Sequence, residues 1–336
     1  MRIGIDAMGG DNAPATEVAG ALSAYSFLRQ EDRIVLIGDK DAIRRQLDEA
    51  GDGDGKAEIR HAPQTIGMDE GPVEALRAKP KSSIAVMAQM HRDGEIDACV
   101  SAGNTGACVA AAQMRLRRLR GVHRPGIAVV TPTYHGPVAI CDVGANVNCR
   151  PQHLYQYGVM ASVYLEVICS VSNPRIALLS IGQEDAKGNE LVRRTHQLFK
   201  QDPNPRFVGN VEGRDLFRGV CDVLVCDGFV GNVALKLMEG MAEGVLKAML
   251  GELAASMPER AEEINHAARG VIAKYDFNEY GGAPLLGVGG IWIICHGASN
   301  SRGIMNAVRV AAEFSKHQVN QQITELLRQD RGSADE

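Results

Sequence analysis

The sequence predicts an α/β protein: a mostly parallel sheet with helices on both faces, plus a projecting helical pair. Short apolar runs rich in Val and Ile alternate with helix-period segments from end to end, the order that lays crossover helices over a parallel sheet. Glycine-rich loops follow the apolar runs at five places. The 336 residues, 45% hydrophobic and 23% charged, suffice for one large core or two ordinary ones, and no low-complexity linker or repeat divides them.

Taken in order, "RIGIDA" reads as a strand followed by a helix from about Thr16, "RIVLIG" by a helix over 41–50, and "AEIRHA" by one over 72–92. "DACVSA" precedes a helix over 105–118. "GIAVVTP" and "GPVAICDVG" lead to a long apolar-periodic helix near 151–171, and "RIALLSIG", "RFVGNVEG" and "CDVLVCDG" are further strands. The 232–275 region reads as two helices interrupted near Ser256–Pro258, and a last helix runs from about Ser301 to Arg328. These elements predict a single two-lobed unit over 1–330, a helical projection at about 236–275, and a frayed tail at 331–336.

Charge and composition exclude several classes. A formal net charge of −5 gives no basic footprint for nucleic acid, and the run Arg115 to Arg124 lacks interleaved aromatics, as a solvated helix end does. The eight cysteines form no C-x-x-C pair and no zinc-spaced cluster with histidine, which predicts reduced core thiols and no metal. His61, His91, His123 and His135 show no ligand spacing. The start "MRIGIDAMGG" is strand and glycine loop rather than a signal segment, and no stretch has the ~18–20 apolar residues of a membrane span. A cytoplasmic protein with at most peripheral membrane contact is expected.

The loops "DAMGGDNAP" (6–14), "SAGNTGA" (101–107), "CDVGANVN" (141–148), "CDGFVGN" (226–232) and "CHGASNSRG" (295–303) each set Gly with Asp, Asn or Ser after an apolar strand. At the carboxyl ends of parallel strands, glycine lets the main chain approach a ligand, and free N–H groups at a helix start favour an anion. A phosphate-like guest is predicted. For any single loop the competing reading is ordinary turn and cap chemistry. No P-loop, dinucleotide fingerprint or G-x-S-x-G elbow occurs, which suits a reaction in which phosphate itself attacks.

Together "GIDAMGGDNAP", "SAGNTGA", "CDVGAN", "SIGQEDAKGNEL", "GNVEGRDLF", "CDGFVGNVALK" and "YGGAPLLGVGG" with "HGASN" resemble the phosphate acyltransferase family of bacterial phospholipid synthesis, over about residues 1–328. The resemblance implies acyl transfer from acyl-[acyl carrier protein] to orthophosphate, giving acyl phosphate for a downstream membrane glycerol-3-phosphate acyltransferase. It implies a homodimer, no organic cofactor, and a Rossmann-like fold similar to phosphotransacetylases and isocitrate-type dehydrogenases. In that family the 236–275 region is a projecting pair linked to the dimer and to peripheral membrane association.

The chemistry needs an anion site, an oxyanion donor and a path for the leaving thiolate. Phosphate binding is assigned to the amides of Gly228 and Gly231 with Asn232, which matches a family position implicated in catalysis; a plain N-cap is its alternative. Lys187 matches a family lysine that neutralises phosphate or the oxyanion. Asn104 and Thr105 are second donors or a capped helix start. Asp6, Asp11, Asp142 and Asp227 are candidates to orient Lys187 or His296 or to act as general base, with turn chemistry as their alternative. His296 is a phosphate ligand, a thiolate protonator or a structural histidine. Gly9, Gly10, Ser101 and Asn146 complete the candidate contacts. Met238, Met241, Val245, Met249 and Leu253 form a stripe read as dimer or core packing over an acyl groove. Residues 257–275 balance Glu259, Glu262 and Glu263 against Arg260, Arg269 and Lys274, a weak basis for adhesion to anionic lipid. The competing readings are a phosphotransacetylase-type enzyme using acyl-CoA, a metal-dependent hydroxy-acid dehydrogenase of similar fold, and a non-catalytic membrane scaffold. For a carrier-protein donor, Arg115, Arg117, Arg118 and Arg120 are candidate docking residues.

Overall fold

The structure, a computed structural model, describes residues 1–51, 55, 57–275 and 277–332. It begins with β1 (Arg2–Asp6), α1 (Ala15–Ala24), β2 (Arg33–Gly38), α2 (Lys40–Glu49) and β3 (Ala57–His61). Then come α3 (Pro72–Ala78), α4 (Ser83–Arg92), β4 (Ala98–Ser101), α5 (Thr105–Leu116), β5 (Gly126–Thr133) and β6 (Gly136–Cys141). The middle of the chain forms α6 (Pro151–Ile168), β7 (Ile176–Leu179), α7 (Glu190–Gln201), β8 (Phe207–Val211) and β9 (Val223–Val225). The remainder is α8 (Gly228–Ser256), α9 (Ala261–Tyr275), β10 (Ala283–Leu286), β11 (Ile291–Ile294), α10 (Ser301–Lys316) and α11 (Val319–Gly332).

Among the described residues the strands make one sheet in the order β3-β2-β1-β4-β11-β10-β5-β6-β9-β7-β8. Strands β3 to β11 form one parallel block and β6 to β8 another. Between them lie three successive antiparallel pairings, β11 with β10, β10 with β5, and β5 with β6. An odd number of reversals makes the two blocks run in opposite senses. Alternation along a strand supplies both faces: Ile34 and Leu36 of β2 enter one core with α1, α6 and α10, while Val35 and Ile37 enter the other with α4 and α5. Burial of such a side chain stabilises by about 1.5–3 kcal/mol, so a two-sided sheet strand selects continuous apolar sequence.

Local chemistry sets the helix starts. Asp39, Asn104, Asn189, Asp227 and Asn300 each accept a backbone N–H as N-caps, and Pro72 and Pro151 occupy first-turn positions. The single helix expected over 72–92 is two, α3 and α4, because Pro80 cannot continue the first. The helix expected from Ser301 to Arg328 is also two, broken where Gln318 adopts a φ of 52°. The expected helix start at Asn232 moves to Gly228, capped by Asp227. Helix α11 continues through Gly332, so the tail expected from 331 is helical for two residues; residues 333–336 lie outside those described.

Helix α8 is buried only at Gly228 and Gly231. Phe229, Val233, Leu237, Met241, Val245 and Met249 recur every fourth residue and are all at least 50% exposed. Of the expected stripe, Met241, Val245 and Met249 therefore do not pack into this chain's own core, whereas Met238 is half-buried against it. No helix among the described residues is long and apolar enough to cross a membrane.

Candidate active site

Three adjacent parallel strands, β6, β9 and β7, end side by side, with Cys141 and Leu178 both in register with Val225. Asp142, the next residue after β6, is fully buried. Its Oδ1 accepts from the amides of Ile127, Gly144 and Ala145 at 3.0–3.1 Å, and its Oδ2 from the Asn146 amide at 2.7 Å and Asn146 Nδ2 at 3.3 Å. Burial raises the Asp142 pKa, against the pull of these donors. With its lone pairs engaged, this carboxylate ties the turn and has no capacity left as a general base, a correction to its expected role. Asn146 is equally committed, through Nδ2 to Pro125 O at 2.6 Å and through its own carbonyl.

The glycines of "CDGFVGN" pack helix on turn. A Cβ on Gly228 would sit 2.8 Å from both Asp142 Oδ2 and Asn146 O, and one on Gly231 only 1.9 Å from Asp142 O. The amides expected to cradle phosphate are taken: Gly228 N donates to Asn146 O at 2.8 Å and Gly231 N to Asp227 O at 2.9 Å. Those of Phe229 and Val230 go to Asp227 Oδ1, both at 3.0 Å. The first turn of α8 is thus satisfied from within the protein, which corrects the assignment of the anion to these amides. Asn232 is no N-cap; it lies at the fifth helical position, exposed, with its carboxamide free of hydrogen bonds among the described residues.

The loops after β1, β4 and β11 form a second group. Asp6 is buried at the end of β1 and accepts from Ser101 Oγ at 2.7 Å and from Met8 N at 3.2 Å; burial raises its pKa. Ser101 in turn accepts from Gly103 N, and exposed Asp11 donates its amide to Gly297 O at 2.9 Å. A Cβ at Gly9 would meet Gly103 N at 2.6 Å, and one at Gly10 would meet Glu17 Oε1 at 2.2 Å, so both glycines serve close packing. Asn104 caps α5 through Ala107 N, and its Nδ2 holds the carbonyls of Gly67, Met68 and Glu70, each at 3.1 Å. That double duty replaces its expected role as a free donor, whereas Thr105, first in α5, is exposed.

The five loops therefore do not gather at one carboxyl edge, because the sheet reverses polarity between the groups. Helix α8 spans them. It rises about 12 Å from Gly228 to Lys236, and Lys236 Nζ lies 2.8 Å from both His296 Nε2 in the β11 loop and Glu239 Oε2. Asn232 and Lys236, four residues apart, share one helix face. Lys187, on the exposed loop after β7, has no side-chain hydrogen bond or ion pair to either group among the described residues. That loop leaves the sheet beside the one that opens α8.

Lys236 and Glu17 were not singled out from the sequence. Lys236 closes the motif "CDGFVGNVALK", and its helical spacing from Asn232 was the available signal. Glu17 gave none: it is 1% exposed, its carboxylate oxygens have no well-formed hydrogen bond among the described residues beyond weak approaches of the Glu17 and Gly10 amides, and burial raises its pKa to about 7. Open hollows of about 340 and 300 Å³ are lined by residues such as Leu119, Asn320 and Arg120, and by none from the five loops. Among the described residues no group of three or more His, Cys, Asp or Glu is arranged to hold a metal ion.

Comparison with known proteins places this arrangement. The family model described as fatty acid synthesis protein matches residues 1–322. Phosphate acyltransferase from Desulforamulus reducens is 47% identical over 337 residues, 99% of each chain. That from Geotalea uraniireducens is 44% identical over 332 residues, 98% of this chain and 95% of its own. Among solved structures, a phosphotransacetylase from Streptococcus pyogenes superimposes with a TM-score of 0.64 at 15% identity, covering 93% of both chains. A branched-chain phosphotransacylase from Enterococcus faecalis gives 0.54 at 13%, covering 93% of this chain and 98% of that one. These two likenesses establish the fold, while the family match and the near-complete alignments establish kinship: the chain belongs to the phosphate acyltransferase family and is an acyltransferase.

Proposed function

We propose that the protein transfers a fatty acyl group from acyl-[acyl carrier protein] to orthophosphate, in the cytoplasm, with the acyl phosphate passing to a membrane glycerol-3-phosphate acyltransferase. A phosphate oxygen attacks the thioester carbonyl, a C–O bond forms, and the tetrahedral oxyanion collapses as the C–S bond breaks. The electron pair leaves on sulfur. Since phosphate is itself a nucleophile and thiolate a good leaving group, positioning and charge outweigh proton transfer.

The observation that carries the site is the shared face of Asn232 and Lys236, which extends from the first loop group to His296 of the second. With the helix-start amides engaged, phosphate falls to side chains: the Lys187 ammonium, the Asn232 carboxamide and Lys236. His296, which accepts the Ala298 amide at Nδ1 and faces the Lys236 ammonium at Nε2, is assigned to orienting Lys236 beside the departing sulfur. Asp227, whose Oδ1 caps α8, has an oxygen left to orient a cation, and Thr105 remains a donor beside the second loop group.

The test is release of free thiol from acyl carrier protein and from acyl-CoA, with and without orthophosphate, following acyl phosphate. Phosphate-dependent release preferring the carrier protein supports the assignment. Preference for acyl-CoA would make the protein a phosphotransacetylase-type enzyme, and no phosphate-dependent turnover with either would leave a scaffold.

The exposed α8 stripe is assigned to a second copy of the chain, because an apolar row of this length is seldom left bare on a monomer. Its four-residue spacing matches ridges that cross at about −50°. The projection over 236–275 of a single two-lobed unit would then serve the homodimer first, with peripheral contact at the inner membrane face secondary. Leu237→Glu should give a monomer by light scattering; a dimer that survives it would exclude this surface.

A further inference from the structure

The loop that presents Lys187 is held at successive residues. Gln183 Nε2 donates to Asp215 Oδ2 at 3.0 Å, and Asn210 Nδ2 of β8 donates to Glu184 O at 2.9 Å. That same carbonyl accepts the Lys187 amide at 3.0 Å. Asp185 binds Lys200 of α7 and lies 3.2 Å through Oδ1 from Nε2 of His196. His196 is 3% exposed, packs against the Phe207 ring, and has its Nδ1 3.1 Å from Asn210 Oδ1.

The hydrogen bonds settle which protons are needed. Because Asn210 spends its Nδ2 on Glu184 O, it presents oxygen to His196, so Nδ1 carries the hydrogen. In the neutral ring Nε2 is then a bare acceptor facing a carboxylate oxygen, and this buried nitrogen has no other hydrogen-bond partner among the described residues. Only the imidazolium satisfies both sides, donating from Nδ1 to Asn210 and from Nε2 to Asp185. The ring is faced by two charged groups, Asp185 from the loop and Lys200 from its own helix, and by the uncharged Asn210 and Phe207 of β8.

We propose that His196 is a positioning residue whose uptake of one solvent proton latches the 183–189 loop and so sets Lys187 for phosphate. The proposal rests on the role given to Lys187 above. Loss of that proton breaks the contact to Asp185, frees the loop and weakens phosphate binding, while kcat at saturating phosphate moves less.

Asp185→Asn separates the alternatives, because a carboxamide can donate to neutral Nε2 and close the latch without a proton. Asp185 is 64% exposed, so the substitution leaves the fold intact. Hydrogen exchange of the 183–189 amides, corrected for intrinsic rates, should lose protection as pH rises in the unmodified protein and stay level in Asp185→Asn. The KM for orthophosphate should climb about tenfold over the same interval, the worth of one hydrogen bond to a charged group, and remain flatter in the variant. Ionisation of orthophosphate itself is common to both proteins and cancels in the comparison. His196→Gln should show the loosened loop at every pH. Identical exchange and KM profiles in Asp185→Asn and the unmodified protein overturn the latch. If Lys187→Ala leaves turnover unchanged, the role of Lys187 falls, while the exchange profiles still decide whether the latch exists.

Discussion

Gly231→Ala distinguishes a packing glycine from a phosphate-cradling one. The added Cβ would lie 1.9 Å from Asp142 O, where ordinary contact begins near 3.4 Å, so α8 and the 142–146 turn must separate by about 1.5 Å. That motion strains the Gly228–Asn146 bond and the Asp142 turn together. Overpacking of this kind costs about 1–3 kcal/mol or somewhat more, against a gain of about 1 kcal/mol for alanine over glycine inside a helix. A net loss of about 2 kcal/mol corresponds to a fall in Tm of roughly 3 °C for a chain of this length. Thermal unfolding and phosphate kinetics on the same preparation make the assay. We expect a lowered Tm, with any change in phosphate KM following from displacement of Asn232. An unchanged Tm with a raised KM would refute the packing argument and restore the amide to the phosphate site.

Other perturbations separate roles within the site. Asn232→Ala and Lys187→Ala should each lower kcat/KM tenfold or more with Tm nearly unchanged, both side chains being exposed; an active variant removes its residue from the mechanism. Asp142→Asn turns a donor, the amide NH2, toward backbone N–H groups that now donate to the carboxylate and should cost about 3 kcal/mol or more by urea unfolding, a loss of folding rather than of chemistry. Glu17, raised from 4.5 to about 7 in the folded state, holds more proton folded than unfolded. Its contribution is fully present below about pH 4.5 and is lost as pH rises through about 7, so stability should decline by up to ~3 kcal/mol toward pH 8. Glu17→Gln should flatten that slope, as measured by unfolding between pH 5 and 8, and an unaltered slope would place the titration elsewhere.

The strands were legible because burial on both faces demands the apolar β-branched runs "RIVLIG" and "DACVSA", and the cap at Asn104 because it stands where a helix must begin. The candidate loops were legible by composition. Their employment was not: an Asp-Gly or Asn-Thr-Gly sequence looks the same whether its donors meet a ligand or the neighbouring turn. Asn104 and Asp142 are occupied by segments 34 to 37 residues upstream and 2 to 15 residues away, respectively. The first of those partners has no local sequence signal.

Period and capping residues, which act over a few neighbours, were enough to establish an α/β chain with five glycine loops, and the spacing of its motifs was enough to suggest the family. The reversal of sheet polarity, the division of the loops into two groups and the spanning contact of Lys236 with His296 depend on pairings between distant segments. Such pairings are chosen by the free energy of the whole sheet and its two cores, and only the folded chain displays them.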